Sequence, residues 1–297
     1  MNQQQQQQIE ETMDVISAMC RQEASYATCD YLSQHALNEQ SLDVDMESRS
    51  LMVEWCYRVV SFTQMNNETV AIAMNILDRF MASSAAGPIL ADRRSYQLAA
   101  MTALYTAVKI FEPEALSPEI VAQISHNTYT TDEIESMEAH ILSGVSWRVN
   151  PPTALAFVRQ YMELISEDQL DKMSREMVYE LAKLQTEAAV RDYDFLQVQA
   201  STIAYCALAN AFGALSAPIS LGPKTIATLE SAVKGVSQEL VCGAQQVLYQ
   251  ALVNQGCSLP AAATMDDCDN TAAKQQQEAS QVREQSPSTS PRSVSVQ

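Results

Sequence analysis

The chain has 297 residues, 47% of them hydrophobic, with only 7 glycines and 10 prolines. At about 150 residues per domain that length suits two domains, and the long runs rich in Ala, Leu, Met, Glu and Gln favour helix. Against 18 basic residues stand 36 acidic ones, a formal charge of −18, which excludes an electrostatic grip on nucleic acid or anionic lipid, since both need a basic surface.

No alternation of apolar and polar residues bounded by turn signals marks a strand. Residues 1–8 open on polyglutamine, a low-complexity run expected to be disordered and without the basic and apolar regions of a signal peptide. A helix over 9–24 would place Ile9, Met13, Ile16 and Met19 on one face, inside an N-terminal segment, 1–45, otherwise expected to be flexible. The next helix spans 46–62 and carries Leu51, Met52, Trp55, Cys56, Val59 and Val60 as a stripe at helical spacing. Asn66 or Asn67 caps a third, which runs to about Met81 with Val70, Ala73, Met74, Leu77 and Phe80 facing inward. A loop holding Gly87-Pro88 leads into 96–112, YQLAAMTALYTAVKIFE. That stretch is apolar or small on every face, as a helix in the middle of a core must be. Its apolar run of about a dozen residues falls short of the roughly 20 that cross a bilayer. Lys109, at its C-terminal end, complements the helix dipole or points at something outside the domain.

Ser117-Pro118-Glu119 reads as an N-cap followed by proline at the first helical position. Thr130 and Glu133 form a capping box that opens a helix with Ile134, Met137, Ile141 and Leu142 on one side. The segment Asn150-Pro151-Pro152-Thr153 stops one helix and restarts another, which makes it the linker. Beyond it the plan repeats, with helices over 153–166, 169–190, 195–213, 223–234 and 237–254; the third is again small and apolar on nearly all faces. The expected fold is all-α: two consecutive five-helix folds over 46–150 and 151–257. From 258 to 297 the chain turns to Asp, Gln, Ser and Pro and is expected to be disordered.

The 7 cysteines, at positions 20, 29, 56, 206, 242, 257 and 268, show no CxxC spacing and lie near none of His35, His126 and His140. They read as reduced thiols in a nuclear or cytosolic protein, with no metal site. An enzyme with metal ligands on a helical bundle would need a motif such as Glu-x-x-His, but His140 has Met137 three residues before it. There is no GxxxxGK[ST] loop to cradle phosphate. No catalytic residue, metal or cofactor is expected.

RSLMVEW at 49–55, LDRF at 77–80 and QLAAMTALYTAVK at 97–109, with Tyr129-Thr130, Met137-Glu138, Ile141-Leu142 and Pro152-Thr153, resemble the cyclin box. The resemblance covers roughly residues 46–257, and DYDFL at 192–196 is similar to the entry to the third helix of a second cyclin fold. It implies a non-catalytic subunit that activates a cyclin-dependent Ser/Thr protein kinase in cell-cycle control, in the nucleus or cytoplasm. Carried over residue by residue, it implies that Arg49 and Asp78 pair inside the first fold and that Leu98 is core. Lys109 and Glu138 would hold backbone groups of the kinase, with apolar contact from Ile110 and Phe111; read without the resemblance, both charges are solvated helix faces. Leu51, Met52, Trp55 and Gln97 match a groove for substrate docking peptides of Arg-x-Leu pattern, although core packing is the other reading for Leu51 and Trp55. Two positions depart from that pattern: Ser48 stands where the family often has methionine, and Arg58 where an acidic residue receives the peptide's arginine. There is no Leu-x-Cys-x-Glu, and no Arg-x-x-Leu precedes the box; the second absence leans toward a G1-like member. A cyclin-fold transcription adaptor, acting through protein or nucleic-acid partners, is the alternative. Ser286 and Ser290, each followed by proline, are candidate phosphorylation sites for proline-directed kinases.

Overall fold

The computed structural model describes residues 3–37, 42–166, 168–215 and 238–254, and every regular element among them is a helix. Most of the long helices start where a polar side chain accepts bonds from the free N–H groups of the first turn, a device that contributes about 1 kcal/mol each. Asp45 and Ser48 form a capping box at the start of α3 (Met46–Phe62). Asp92 receives the amides of Arg94 and Ser95 ahead of α6 (Arg93–Phe111). Thr130 and Glu133 form the expected box on α8 (Thr131–Gly144), while Thr153 caps α9 (Ala154–Glu163) and Asp171 caps α10 (Lys172–Arg191). Before α4 (Glu68–Met81) the two asparagines divide the work. Asn66 Oδ1 accepts from the Glu68 amide at 2.9 Å, and Asn67 donates its side-chain amide to Glu187.

Two cores result. In the first, α6 is buried at every position from Leu98 to Val108, and α3, α4 and α8 pack around it. At Gly144 α8 approaches α4 so closely that a Cβ would stand 2.6 Å from Phe80 Cδ2. In the second, α11 (Ala200–Ala214) buries Ile203, Ala204, Ala207 and Leu208 against α9, α10 and α12 (Gln238–Asn254).

Several elements differ from the sequence expectation. The first helix, α1 (Gln3–Glu23), begins six residues earlier than Ile9. Glutamine is a good helix former, and Gln6 and Gln7 each donate to a glutamate one turn on, at 3.0 and 2.9 Å. The segment expected to be flexible up to residue 45 is packed instead: Ile16 is buried in the second core, and Tyr31, Leu32 and Val44 in the first. It also holds α2 (Tyr31–Leu37), which the sequence reading left out. Around Gly87-Pro88 the chain makes a single helical turn, α5 (Gly87–Leu90), because proline is tolerated in a first turn and Leu90 is drawn into the core. Ser117 makes no side-chain cap on α7 (Pro118–Ile124). The helix expected over 195–213 divides into a 3-10 turn, Tyr193–Gln197, and α11. The helix expected over 223–234, the tail 258–297 and with it Ser286 and Ser290 lie outside the described residues.

Candidate partner-binding site

Lys109 stands in the last turn of α6 and Glu138 in the middle of α8. Packing of the two helices brings the ammonium to 2.9 and 3.0 Å from the two carboxylate oxygens. Thr106, one turn before Lys109, donates to the same carboxylate at 3.4 Å, and the ammonium lies 4.8 Å from the centre of the Tyr105 ring. Partial burial works against the charged form of Lys109, but the bond and the charge of Glu138 outweigh it and hold the ammonium above its ordinary pKa. The pair is lopsided. Lys109 is 39% exposed and Glu138 only 14%, so the carboxylate is the more confined partner. Beside them Ile110 is 45% exposed, whereas Phe111 packs half-buried on the first core. The result is a charge pair with an apolar neighbour at the surface where α6 ends, able to offer one donor and one acceptor to a partner's backbone.

Arg49, on α3, and Asp78, on α4, meet in the interior. The guanidinium reaches the carboxylate twice, at 2.9 and 2.8 Å, and both side chains are 4% exposed. Burial alone would lower the pKa of Arg49; the Asp78 charge more than reverses this, so the guanidinium stays ionised. Its third contact is the Val190 carbonyl at 3.0 Å, from α10. The phenol of Tyr31 donates to Asp78 Oδ1 at 3.1 Å, and the Tyr193 ring lies edge-on to Tyr31 and 5.7 Å from the guanidinium carbon. Burial, with Asp78 next, pushes the Tyr31 phenol well above its usual range, which keeps it a donor. The pair therefore fastens α2, α3, α4 and α10 at one point. Tyr31 and Val190 were not singled out in the sequence, and Tyr193 was read only as part of the DYDFL stretch: they sit in a stretch taken for flexible and beyond the linker, and no local spacing joins them to Arg49.

The docking-groove residues separate. Met52 turns inward and is buried, Trp55 packs half-buried on the first core, and Leu51 is 62% exposed. Met52 lies on the inward face with Val53, Cys56 and Val60, as part of the first core. Gln97 is exposed on α6 and accepts from the Tyr129 phenol at 2.9 Å. Ser48 is engaged in the α3 capping box, and Arg58 is exposed.

Residues 14–150 match the family described as cyclin, N-terminal domain. Cyclin-A2-1 of Arabidopsis thaliana is 29% identical over 167 residues, which are 56% of this chain and 36% of that protein. The G2/mitotic-specific cyclin-B2 of Oryzias latipes is 32% identical over 171 residues, 57% of this chain and 41% of that protein. The chain thus spans less than half the length of these curated relatives. A viral cyclin from herpesvirus saimiri shares the fold, with a TM-score of 0.57 at 13% identity over 71% of this chain and 86% of that one. The family match runs through the helices that carry Arg49, Asp78, Lys109 and Glu138, and this chain belongs to the cyclin family.

Proposed function

We propose that this chain is a non-catalytic regulatory subunit that activates a cyclin-dependent Ser/Thr protein kinase in cell-cycle control. The observation that carries the reading is the Lys109–Glu138 pair, set at the surface with Ile110 exposed beside it. In this reading Lys109 donates to, and Glu138 accepts from, backbone groups of the kinase, while Ile110 and the edge of Phe111 supply apolar contact. The rigid first core then packs against the kinase's movable helix and holds that helix's glutamate against the ATP-binding lysine, a pairing that phosphoryl transfer requires. The protein contributes no reacting group; it fixes a geometry. A nuclear or cytoplasmic location belongs with this reading.

Relatives include cyclins named as G2/mitotic-specific and as G1/S-specific, so the G1-like leaning rests on the missing Arg-x-x-Leu alone. A groove for substrate docking peptides belongs to this reading through Leu51, Met52, Trp55 and Gln97, with Arg58 standing where an acidic residue would receive the peptide's arginine. The test is a pull-down of the chain from dividing cells with mass spectrometry of what is bound. A Ser/Thr kinase recovered with the parent and lost with the Lys109→Ala, Glu138→Ala double variant is expected; recovery of no kinase with the parent would overturn the proposal.

A further inference from the structure

On the far side of α8 from its start, an open groove of about 430 Å³ is lined by Ser25, Thr28, Cys29, Arg79, Ser146 and Arg148, the remaining lining residues being small and apolar. It contains two arginines and no acidic residue, in a chain whose acidic residues outnumber the basic ones 36 to 18. Among the described residues neither arginine takes part in an ion pair with a carboxylate.

Arg79 is held in place. It donates to the carbonyls of Arg148 and Val145 at 2.6 and 3.1 Å, in the turn that ends α8, and its guanidinium lies 4.6 Å from the centre of the Tyr26 ring. Burial pulls its pKa below the ordinary value, and the charge of Arg148 adds to that pull against the ring of Tyr26. Two like charges therefore face one groove with no counter-ion, an arrangement that an incoming anion relieves. Arg148 itself is exposed and among the described residues makes no side-chain bond, so its planar fork is available to oxygen acceptors. The chain holds this turn in place at a cost: Ser146 and Trp147, between the two helix-end carbonyls that Arg79 ties down, both adopt left-handed backbone at φ 53° and 59°.

We propose that Arg79 and Arg148 form an oxyanion site that takes a phosphate monoester. Arg148 closes on two phosphate oxygens, the preset guanidinium of Arg79 supplies the fixed charge behind them, and the hydroxyl of Ser146 borders the same groove. The geometry is that of arginine forks on phosphate, in which planar paired donors favour a multi-oxygen anion over a point charge. This site is separate from Lys109 and Glu138 and does not depend on kinase binding.

The experiment is titration calorimetry on the full chain with three probes: inorganic phosphate, a tripeptide acetyl-Ala-phosphoserine-Ala-amide, and the same peptide without phosphate. Saturable binding of a phosphate-bearing probe and none of the bare peptide is expected. Arg148→Glu should weaken it by about tenfold or more, the range for loss of a charge-assisted pair, while Lys172→Glu, an exposed cation on α10, leaves it unchanged. Tighter binding of the phosphopeptide assigns the site to a phosphorylated protein segment; equal or tighter binding of inorganic phosphate assigns it to a free phosphate compound. Absence of saturable binding, binding that survives Arg148→Glu in a variant that melts like the parent, or equal loss in Lys172→Glu would overturn the proposal.

Discussion

At the scale of single residues, two ion pairs look alike on paper and do different work. Lys109–Glu138 is partly exposed, and pairs of that kind contribute about 0–1 kcal/mol to a fold. The double variant Lys109→Ala, Glu138→Ala should therefore keep the parent's helical content and melting temperature by circular dichroism. Its kinase activation should disappear, since bonds from charged groups to a desolvated partner are worth about 2–5 kcal/mol; normal activation would refute the assigned role. Arg49–Asp78 is the opposite case. Asp78→Ala would leave a guanidinium that is 4% exposed with no anion and take away the acceptor of Tyr31, so a loss of about 3–5 kcal/mol is expected. A urea titration that gives the parent's midpoint would show the pair to be dispensable. The four charged residues were legible through the resemblance of their motifs. The pairing of Arg49 with Asp78 was implied with them, but the contact of Lys109 with Glu138 was not: the two lie on different helices, and only the packing of α6 on α8 shows that each already satisfies the other.

At the scale of elements, legibility followed how far a helix depends on its own residues. The all-apolar surface of α6, the apolar stripe of α3 and the box at Thr130 are local signals, and these elements start and stop close to where periodicity and that cap put them. Helix α1 shows what periodicity leaves out. Ile9, Met13, Ile16 and Met19 announce an apolar stripe, but nothing in the stripe says that it covers the second core rather than the first. The chain settles the choice with Glu23, at the end of α1, which accepts from the amide and hydroxyl of Ser201 at 3.1 and 2.6 Å at the start of α11. Burial raises the Glu23 pKa despite those bonds. A carboxylate with a raised folded-state pKa adds stability below its unfolded value, and that addition is lost as pH rises through the folded value. Glu23→Gln keeps an acceptor for Ser201 and stays neutral. It should melt higher than the parent at pH 7, with the advantage shrinking as pH falls toward the ordinary carboxylate range of about 4.3. An advantage equal at pH 4 and pH 7 by scanning fluorimetry would contradict this.

At the scale of the whole described region, the two cores are joined by polar bonds that no motif advertises. Glu68, at the first turn of α4, receives Arg159 at 2.9 and 2.8 Å and also the Thr153 hydroxyl that caps α9. Asn67 binds Glu187 at 3.0 Å, and Arg49 binds the Val190 carbonyl. The segment read as a linker is thus braced on both sides. Of the two tryptophans, both ahead of that linker, Trp55 packs on the first core and Trp147 is exposed, so the fluorescence change on unfolding reports the first core through Trp55 while far-ultraviolet circular dichroism reports both. In the parent the two denaturation curves should coincide, as one cooperative unit requires. In Glu68→Ala they should separate, with the dichroism curve broadened; coincident curves there would place the coupling elsewhere.

The closed Lys109–Glu138 contact has a further consequence for encounter. Each charge cancels the other's far field, so the site presents a dipole and not a monopole to anything several ångströms away. A dipole field fades well within the roughly 8 Å over which physiological salt screens charge. Long-range guidance must then come from the remaining charge of the chain, formally −18, which steers toward basic surfaces in general. Discrimination at the end of α6 begins only on touching, when a backbone carbonyl and amide compete for the ammonium and the carboxylate. Selectivity at this site should accordingly appear in the rate of departure, with the rate of arrival set by the rest of the molecule.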